Sequence, residues 1–567
     1  MSTGQPPPSG ATSQGPASAS RGAFSGRTAF IMAAIGSAVG LGNIWRFPYV
    51  AYSNGGGAFI LPYVIALVCA GIPLLLLDYA VGHRWRGSAP LSFRRLHRLT
   101  EPIGWWQVLI CVVIGVYYAL ILAWALRYFL FSFTKAWGDD PGTFFMESFT
   151  RAVPADQASI GFDFVPGIAI PLLLVWLAVI GCLALGVQKG IAGSSLLFIP
   201  LLVVMFVVLV VVALTLPGAT KGLDALFTPD WSALTNSSVW VAAFGQIFFS
   251  LSVGFGIMVT YASYVKKNAD LTGSGLVVGF ANSSFELLCG IGVFAALGFM
   301  AQAADKPVSE VASSGIGLAF IAFPTIINQA PMGTLIGVLF FGSLVFAGFT
   351  SMISIVEVII AAVEDKFGTG RVASTLLVGI PMALVSALLF PTTTGLNLLD
   401  VTDAFVNNFG IVGAALVSAL TLTAGFTALP TLRRHLNKAG SFKLGRGWQL
   451  LVGAVAPVVL GYTLIGEIQT RLEKGYGGMP SSFVGVWGWG MTVGLVLLAV
   501  VFSLAPWSEK SNLHTLDSDG DPIPGPVLDP IVDRKRFEDI RSRENLDLAS
   551  VADTHSRTTL DLKEGSK

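Results

Sequence analysis

Residues 36–48 read Gly36-Ser37-Ala38-Val39-Gly40-Leu41-Gly42-Asn43-Ile44-Trp45-Arg46-Phe47-Pro48, and they interrupt an apolar segment that begins near Thr28. Gly36, Gly40 and Gly42 fall within seven residues, and each glycine weakens a helix by about 1 kcal/mol relative to alanine. Asn43 and Arg46 are costly in hydrocarbon. An uninterrupted spanning helix would avoid this composition. A broken helix that turns freed carbonyls toward an ion requires it.

The pattern recurs. Ser250-Leu251-Ser252-Val253-Gly254-Phe255-Gly256 sits inside the apolar run Val239 to Tyr264, so that Ala38–Gly42 aligns with Ser252–Gly256. Two Gly-interrupted spans at matching positions of two halves point to a binding site near the bilayer midplane. Close helix packing is the plainer use of such glycines, but it does not account for the polar residues beside them.

Only 12% of the 567 residues are charged and 53% are hydrophobic; a soluble domain carries roughly 25% charged residues. The apolar runs exceed the roughly 20 residues that cross a bilayer. The expected fold class is therefore an all-α polytopic membrane protein. Its twelve helices run at about 27–50, 57–82, 104–132, 167–187, 191–214, 239–265, 274–301, 333–362, 374–390, 396–429, 447–467 and 484–505. Breaks in the first and sixth suggest two five-helix repeats, about 27–214 and 239–429, inverted because five spans separate their starts. Two further helices occupy about 447–505.

A net charge of +1 gives no pull toward nucleic acid. Cys69, Cys111, Cys182 and Cys289 all lie in apolar runs and read as small hydrophobes, not as disulfides or metal ligands. Residues 1–20 hold no Lys or Arg and many Pro, Ser and Gly, the composition of a disordered tail. Residues 506–567 read as a polar tail of mixed charge, regulatory or simply solubilising. Loops on one side carry 15 Lys/Arg, including Arg84, Arg86, Lys266, Lys267 and Arg433, against six on the other. The positive-inside rule places the richer side and both termini in the cytoplasm, which suits a multi-pass inner (plasma) membrane protein.

The polar residues beside the breaks are the candidate functional groups. Asn43 offers a side-chain carbonyl just past the first break, Ser250 a hydroxyl before the second, and Asn282 a polar group in the seventh span. These can converge on one sodium ion, although Asn282 alone could equally bond a neighbouring helix. Thr350 and Ser351 can join carbonyls of Gly36 and Val39 at a second ion, or bond their own helix at i−4. Neither 36–43 nor 250–256 contains an acidic residue, so an amine alone would lack a counter-charge there. A carboxylate would meet the N–H groups of a half-helix start and a sodium ion. Tyr118 can donate to it, and Ile114, Phe249, Phe255 and Ile355 would house an apolar side chain. Arg46 with Asp403 could close the outer end and Arg21 with Asp365 the inner end, unless these are ordinary interfacial charges. No nucleophile–base pair or metal-ligand cluster appears in the spans, which argues against an enzyme.

These residues carry a resemblance. Gly36–Pro48 with Asn54-Gly-Gly-Gly-Ala-Phe59, then Gln246–Gly256 and Tyr261-Ala-Ser-Tyr264, resemble the neurotransmitter:sodium symporter family over about residues 21–505. The chain looks most like the prokaryotic amino-acid branch, which includes the bacterial leucine transporter. The resemblance implies a first sodium site at Ala38, Asn43, Ser250 and Asn282 with the substrate carboxylate. It implies a second at Gly36, Val39, Ala347, Thr350 and Ser351. The implied substrate site comprises Ser37, Ala38, Gly40, Leu41, Gly42, Ile114, Tyr118, Phe249, Ser250, Ser252, Phe255, Ser351, Met352 and Ile355. Arg46/Asp403 and Arg21/Asp365 take the places of outer and inner gates, and Asp78 stands where members carry an acid.

One departure changes the expected mechanism. Chloride-dependent members carry serine at the position of Glu286, beside Tyr63, Gln246 and Ser250. A carboxylate there supplies the charge in place of chloride, and its protonation predicts proton counter-transport. Gly40 stands where monoamine carriers place aspartate, which disfavours such substrates. The expectation is a sodium symporter for a neutral, hydrophobic amino acid, using two sodium ions and no chloride. A sodium-dependent amino-acid sensor and a carrier of another small zwitterion are the alternatives; a channel would also use carbonyl ligands.

Overall fold

The computed structural model describes residues 23–312, 315–508 and 511. Helix α1 (Arg27–Ala38) stops where Val39 turns extended, and α2 (Leu41–Ser53) restarts after Gly40 with the axis bent by 54°. Asn43 stabilises the restart: its Oδ1 accepts the Gly40 N–H at 2.9 Å, satisfying one of the donors a helix start leaves without an internal partner.

The chain continues through α3 (Gly57–Trp85), α4 (Arg98–Thr134), α5 (Pro166–Ala184) and α6 (Val187–Leu214). Two short helices follow, α7 (Ser237–Ser250) and α8 (Ile257–Ser263). Then come α9 (Leu271–Ala303), α10 (Gly333–Phe367), α11 (Arg371–Leu389), α12 (Gly395–Gly425), α13 (Arg446–Lys474) and α14 (Ser481–Leu504). Among the described residues ten helices are long and apolar enough to cross a membrane, and the bent α1–α2 pair makes eleven. The sixth expected span, 239–265, is not one helix. Residues 251–256 are non-helical, and Ser252, Gly254 and Gly256 there have positive φ. Gly254 has a second constraint, since a Cβ on it would stand 2.8 Å from that of Ala415.

Packing sorts the helices. Of the most apolar 18 residues, 83% are buried in α4 and in α10 but 22% in α13 and in α14. The first two form the centre and the last pair lies at the periphery. Several helices contain π turns, among them Val406–Ile411 in α12. Cys111 and Cys289 are buried and all four cysteines are free thiols.

Outside the spans, Asp270 caps the start of α9. It accepts the N–H of Gly273 at 2.9 Å and of Ser441 at 2.8 Å, and pairs with Arg27 at 3.1 Å. Partial burial works to raise this carboxyl, but those N–H groups and the Arg27 guanidinium outweigh it and hold it below the usual Asp range.

Candidate functional site

Both breaks line one cavity of about 500 Å³. Its floor is built from Ser37, Ala38, Gly40, Leu41, Gly42 and Asn43 on one side and Phe249, Ser250, Ser252 and Phe255 on the other. A hydrogen bond ties the breaks together, from Ser252 Oγ to the Ser37 carbonyl at 3.1 Å. A second anchors the α7–α8 break to α3, from Gly254 N–H to Asp78 Oδ2 at 3.3 Å.

The amides and hydroxyl singled out in the sequence meet here. Asn43 Nδ2 donates to Asn282 Oδ1 at 2.8 Å, and Asn282 Nδ2 to Ser250 Oγ at 3.0 Å. One turn further along α9 lies the fully buried Glu286. The Tyr63 hydroxyl donates to its Oε2, and Gln246 Nε2 donates to its Oε1 at 2.7 Å. Both carboxylate oxygens thus have donors within the protein.

The second cluster is partly assembled. Ser351 Oγ lies 3.4 Å from the Gly36 carbonyl. Thr350 Oγ1 bonds its own helix, at the carbonyls of Phe346 and Ala347, both at 3.1 Å. A Cβ on Gly36 would come within 3.3 Å of Thr350, so glycine lets α1 and α10 close together there. Val39 and Ala347 are both buried.

Ile114, Tyr118, Ser351 and Ile355 complete the lining. Met352 does not join them; it is fully buried in the core. It follows Ser351 by one position, which turns its side chain about 100° away around α10. A Cβ at Gly40 would lie 3.0 Å from Ser351 Oγ and 3.4 Å from the Tyr118 hydroxyl, so both hydroxyls face the N-terminus of α2.

Toward its mouth the cavity is lined by Met146, Ala155, Gly315, Gly317, Gly477 and Met479, in loops on the Lys/Arg-poor side. Arg46 and Asp403 both line it but form no ion pair among the described residues. The Arg46 guanidinium carbon sits 4.7 Å from the Phe249 ring centroid. Asp403 accepts from the Tyr117 hydroxyl at 2.7 Å and Asn407 Nδ2 at 2.9 Å. The expected outer contact is therefore absent because each partner is held elsewhere, with open cavity reaching both. Sequence reasoning missed Tyr117, Asn407 and Asp400 in this lining; the α12 pair lay in view at i−3 and i+4 from Asp403.

The opposite end is filled. Phe24 packs edge-on against Tyr261 and Tyr264, with ring centroids 5.7 and 6.1 Å away. Tyr264 and Arg371 both bond the buried Glu357, at 2.7 and 2.6 Å. Asp365 Oδ2 accepts the Ser88 N–H at 2.9 Å. Its expected partner Arg21 lies outside the described residues.

A profile described as "Sodium:neurotransmitter symporter family" matches residues 21–150 and 141–510. An uncharacterized sodium-dependent transporter of Methanocaldococcus jannaschii is 40% identical over 469 residues, covering 82% of this chain and 94% of that protein. The match spans both breaks, the Asn43–Asn282 amide pair, the Thr350–Ser351 hydroxyls and the peripheral helices, and is that of a sodium-coupled transporter, not an enzyme: the chain belongs to the sodium:neurotransmitter symporter family.

Proposed function

We propose that the chain is a symporter of the prokaryotic amino-acid branch that imports a neutral, hydrophobic amino acid with two sodium ions by alternating access. The observation that carries this reading is the cavity floor. Both breaks, the N-terminus of α2 and the Tyr118 and Ser351 hydroxyls face one space with no acidic residue at the floor and apolar walls at Ile114, Phe255 and Ile355. That chemistry suits a carboxylate beside a cation and an uncharged side chain.

In this reading residues 237–263 are a twelfth, broken span. The repeats at about 27–214 and 239–429 are inverted, and both termini are cytoplasmic in the plasma membrane. Ala38, Asn43, Ser250 and Asn282 hold the first sodium together with the substrate carboxylate. Gly36, Val39, Ala347, Thr350 and Ser351 hold the second, Thr350 rotating from its own helix to the ion. The open mouth and filled opposite end correspond to an outward-facing state. Arg46 and Asp403 then close over the substrate, and the contact of Arg21 with Asp365 releases inside. Inward sodium flow drives the cycle, at about 2.3 kcal/mol per charge for each 100 mV. Glu286 replaces chloride beside the first sodium and returns a proton outward.

The test is uptake of labelled amino acids into proteoliposomes with the sodium gradient and chloride varied independently. Uptake that needs sodium and ignores chloride is expected. Saturable, sodium-dependent binding without uptake would overturn the symport reading in favour of a sensor.

A further inference from the structure

A second cavity, of about 360 Å³, lies on the Lys/Arg-rich face, away from the substrate cavity. His83, Lys267, Asn268, His435 and Lys438 line it, and no carboxylate does among the described residues. His83 lies near the end of α3, Lys267 follows α8, and His435 and Lys438 belong to the short helix Leu429–Ala439. The rings touch, His83 Nδ1 lying 2.8 Å from His435 Nε2. His83 Nε2 is 2.9 Å from the Lys266 carbonyl, and Arg86 Nη2 is 3.1 Å from the same nitrogen. The nearby Asp270 is engaged with Arg27 and the start of α9. The two imidazoles share one hydrogen bond, so at least one of them is neutral, and the positive charge of this polar recess comes from Lys267 and Lys438, with Arg86 behind His83, at a junction of three separate elements.

The residues that follow α14 are anchored to α4 and α10. Trp507 Nε1 donates to Glu101 Oε2 at 3.0 Å, and Lys366 Nζ pairs with Glu101 Oε1 at 2.7 Å. The Lys366 ammonium lies 4.3 Å from the Trp507 ring centroid. Ser508 N–H donates to the Lys366 carbonyl at 2.9 Å, and Ser511 Oγ donates to the Asp365 carbonyl. Asp365 in turn takes the N–H of Ser88, five residues beyond His83. Past Ser511 the chain reads Asn-Leu-His-Thr-Leu-Asp517-Ser-Asp519-Gly-Asp521, and up to Arg534 it holds five aspartates and no Lys or Arg. Six to ten residues of extended chain reach about 20–35 Å.

We propose that the acidic run Asp517–Asp521 of this chain docks in the recess lined by His83, Lys267, His435 and Lys438, its carboxylates facing the two lysines. Trp507, Ser508 and Ser511 anchor the chain ahead of it. Charge complementarity and the short length of chain between Ser511 and Asp517 favour this occupant, and the inference stands apart from which substrate is carried. The docked run would bridge α3, the segment after α8 and the Leu429–Ala439 helix, so it would restrain any relative movement of these elements.

The test is oxidative cross-linking of full-length protein in proteoliposomes carrying Lys267→Cys with Asp519→Cys, against Lys267→Cys with Ser542→Cys. The expected result is a disulfide forming at least tenfold faster at 519. It should slow by a similar factor in Asp517→Asn/Asp521→Asn and in 1 M KCl, where the screening length falls to about 3 Å. Equal rates at 519 and 542, or a rate indifferent to the two aspartates, would overturn the proposal. Maleimide labelling of Lys267→Cys supplies a second readout. Ending the chain after Ser511 should expose that thiol severalfold. Protection that survives this truncation and follows phosphatidylglycerol content would assign the recess to a lipid headgroup instead, again overturning it.

Discussion

Asn43 on α2 and Asn282 on α9 are joined side chain to side chain at 2.8 Å, and Asn282 passes the link on to Ser250 at 3.0 Å. Three elements of the candidate sodium site therefore depend on one amide. Asn282→Ala leaves two buried polar groups short of a partner, a loss of about 1–3 kcal/mol. The expected outcome is sodium binding weakened about 5- to 150-fold, read from sodium titrations of substrate binding. An unchanged sodium dependence would remove Asn282 from the site.

Glu286 has both oxygens engaged by Tyr63 and Gln246 inside the protein. Glu286→Ser removes the fixed negative charge but leaves those donors aimed at the space. Uptake by the variant should fall at least tenfold in chloride-free buffer and recover with added chloride, while the parent ignores the anion. A variant indifferent to chloride would argue against the substitution of one charge for the other.

Gly42 admits no side chain: a Cβ there would stand 2.3 Å from Phe249 Cε1. Gly42→Ala must displace that ring, which also carries the Arg46 contact. Substrate affinity should drop at least tenfold with the protein still folded and monodisperse. Substrate binding at parental affinity would show that the floor is more yielding than this geometry implies.

Asp270→Asn tests a contact outside the membrane. Its folded carboxyl is held low by N–H donors and Arg27 despite partial burial. The charge therefore stabilises the fold above the ordinary Asp range, and the contribution fades as pH falls through the lower folded value. The variant should be about 1 kcal/mol less stable at pH 7. The gap between the two thermal melting curves should narrow on acidification toward pH 3; a gap independent of pH would remove the charge from the account.

The breaks were legible in the sequence because glycine and amide side chains are out of place in a spanning helix, so their presence states a requirement. Residues 36–43 and 250–256 accordingly fall at the cavity floor, and eleven of the expected spans appear with modest shifts at their ends. The rest depended on facts that local composition does not carry. Asp403 reads as a gate partner, but local composition does not show that its carboxylate is taken by Tyr117 and Asn407. Met352 is next to a lining residue, yet neighbours on a helix point in different directions. Trp507 looked like the start of a polar tail, and only the buried Glu101–Lys366 pair reveals what it packs against.

The π turn at Val406–Ile411 has a consequence for how α12 meets the cavity. Asp403 and Ile411 both line it, one near the mouth and one nearer the floor. In an uninterrupted α-helix, eight residues place two side chains about 80° out of phase. The wider turn absorbs one residue of that advance and brings the two back to within about 20°. Access and depth along this wall are thus set by a residue count as much as by residue identity. Deleting Asn408, Phe409 or Gly410 would keep every side chain named as lining the cavity and still rotate the lower half of the helix away from the space it lines.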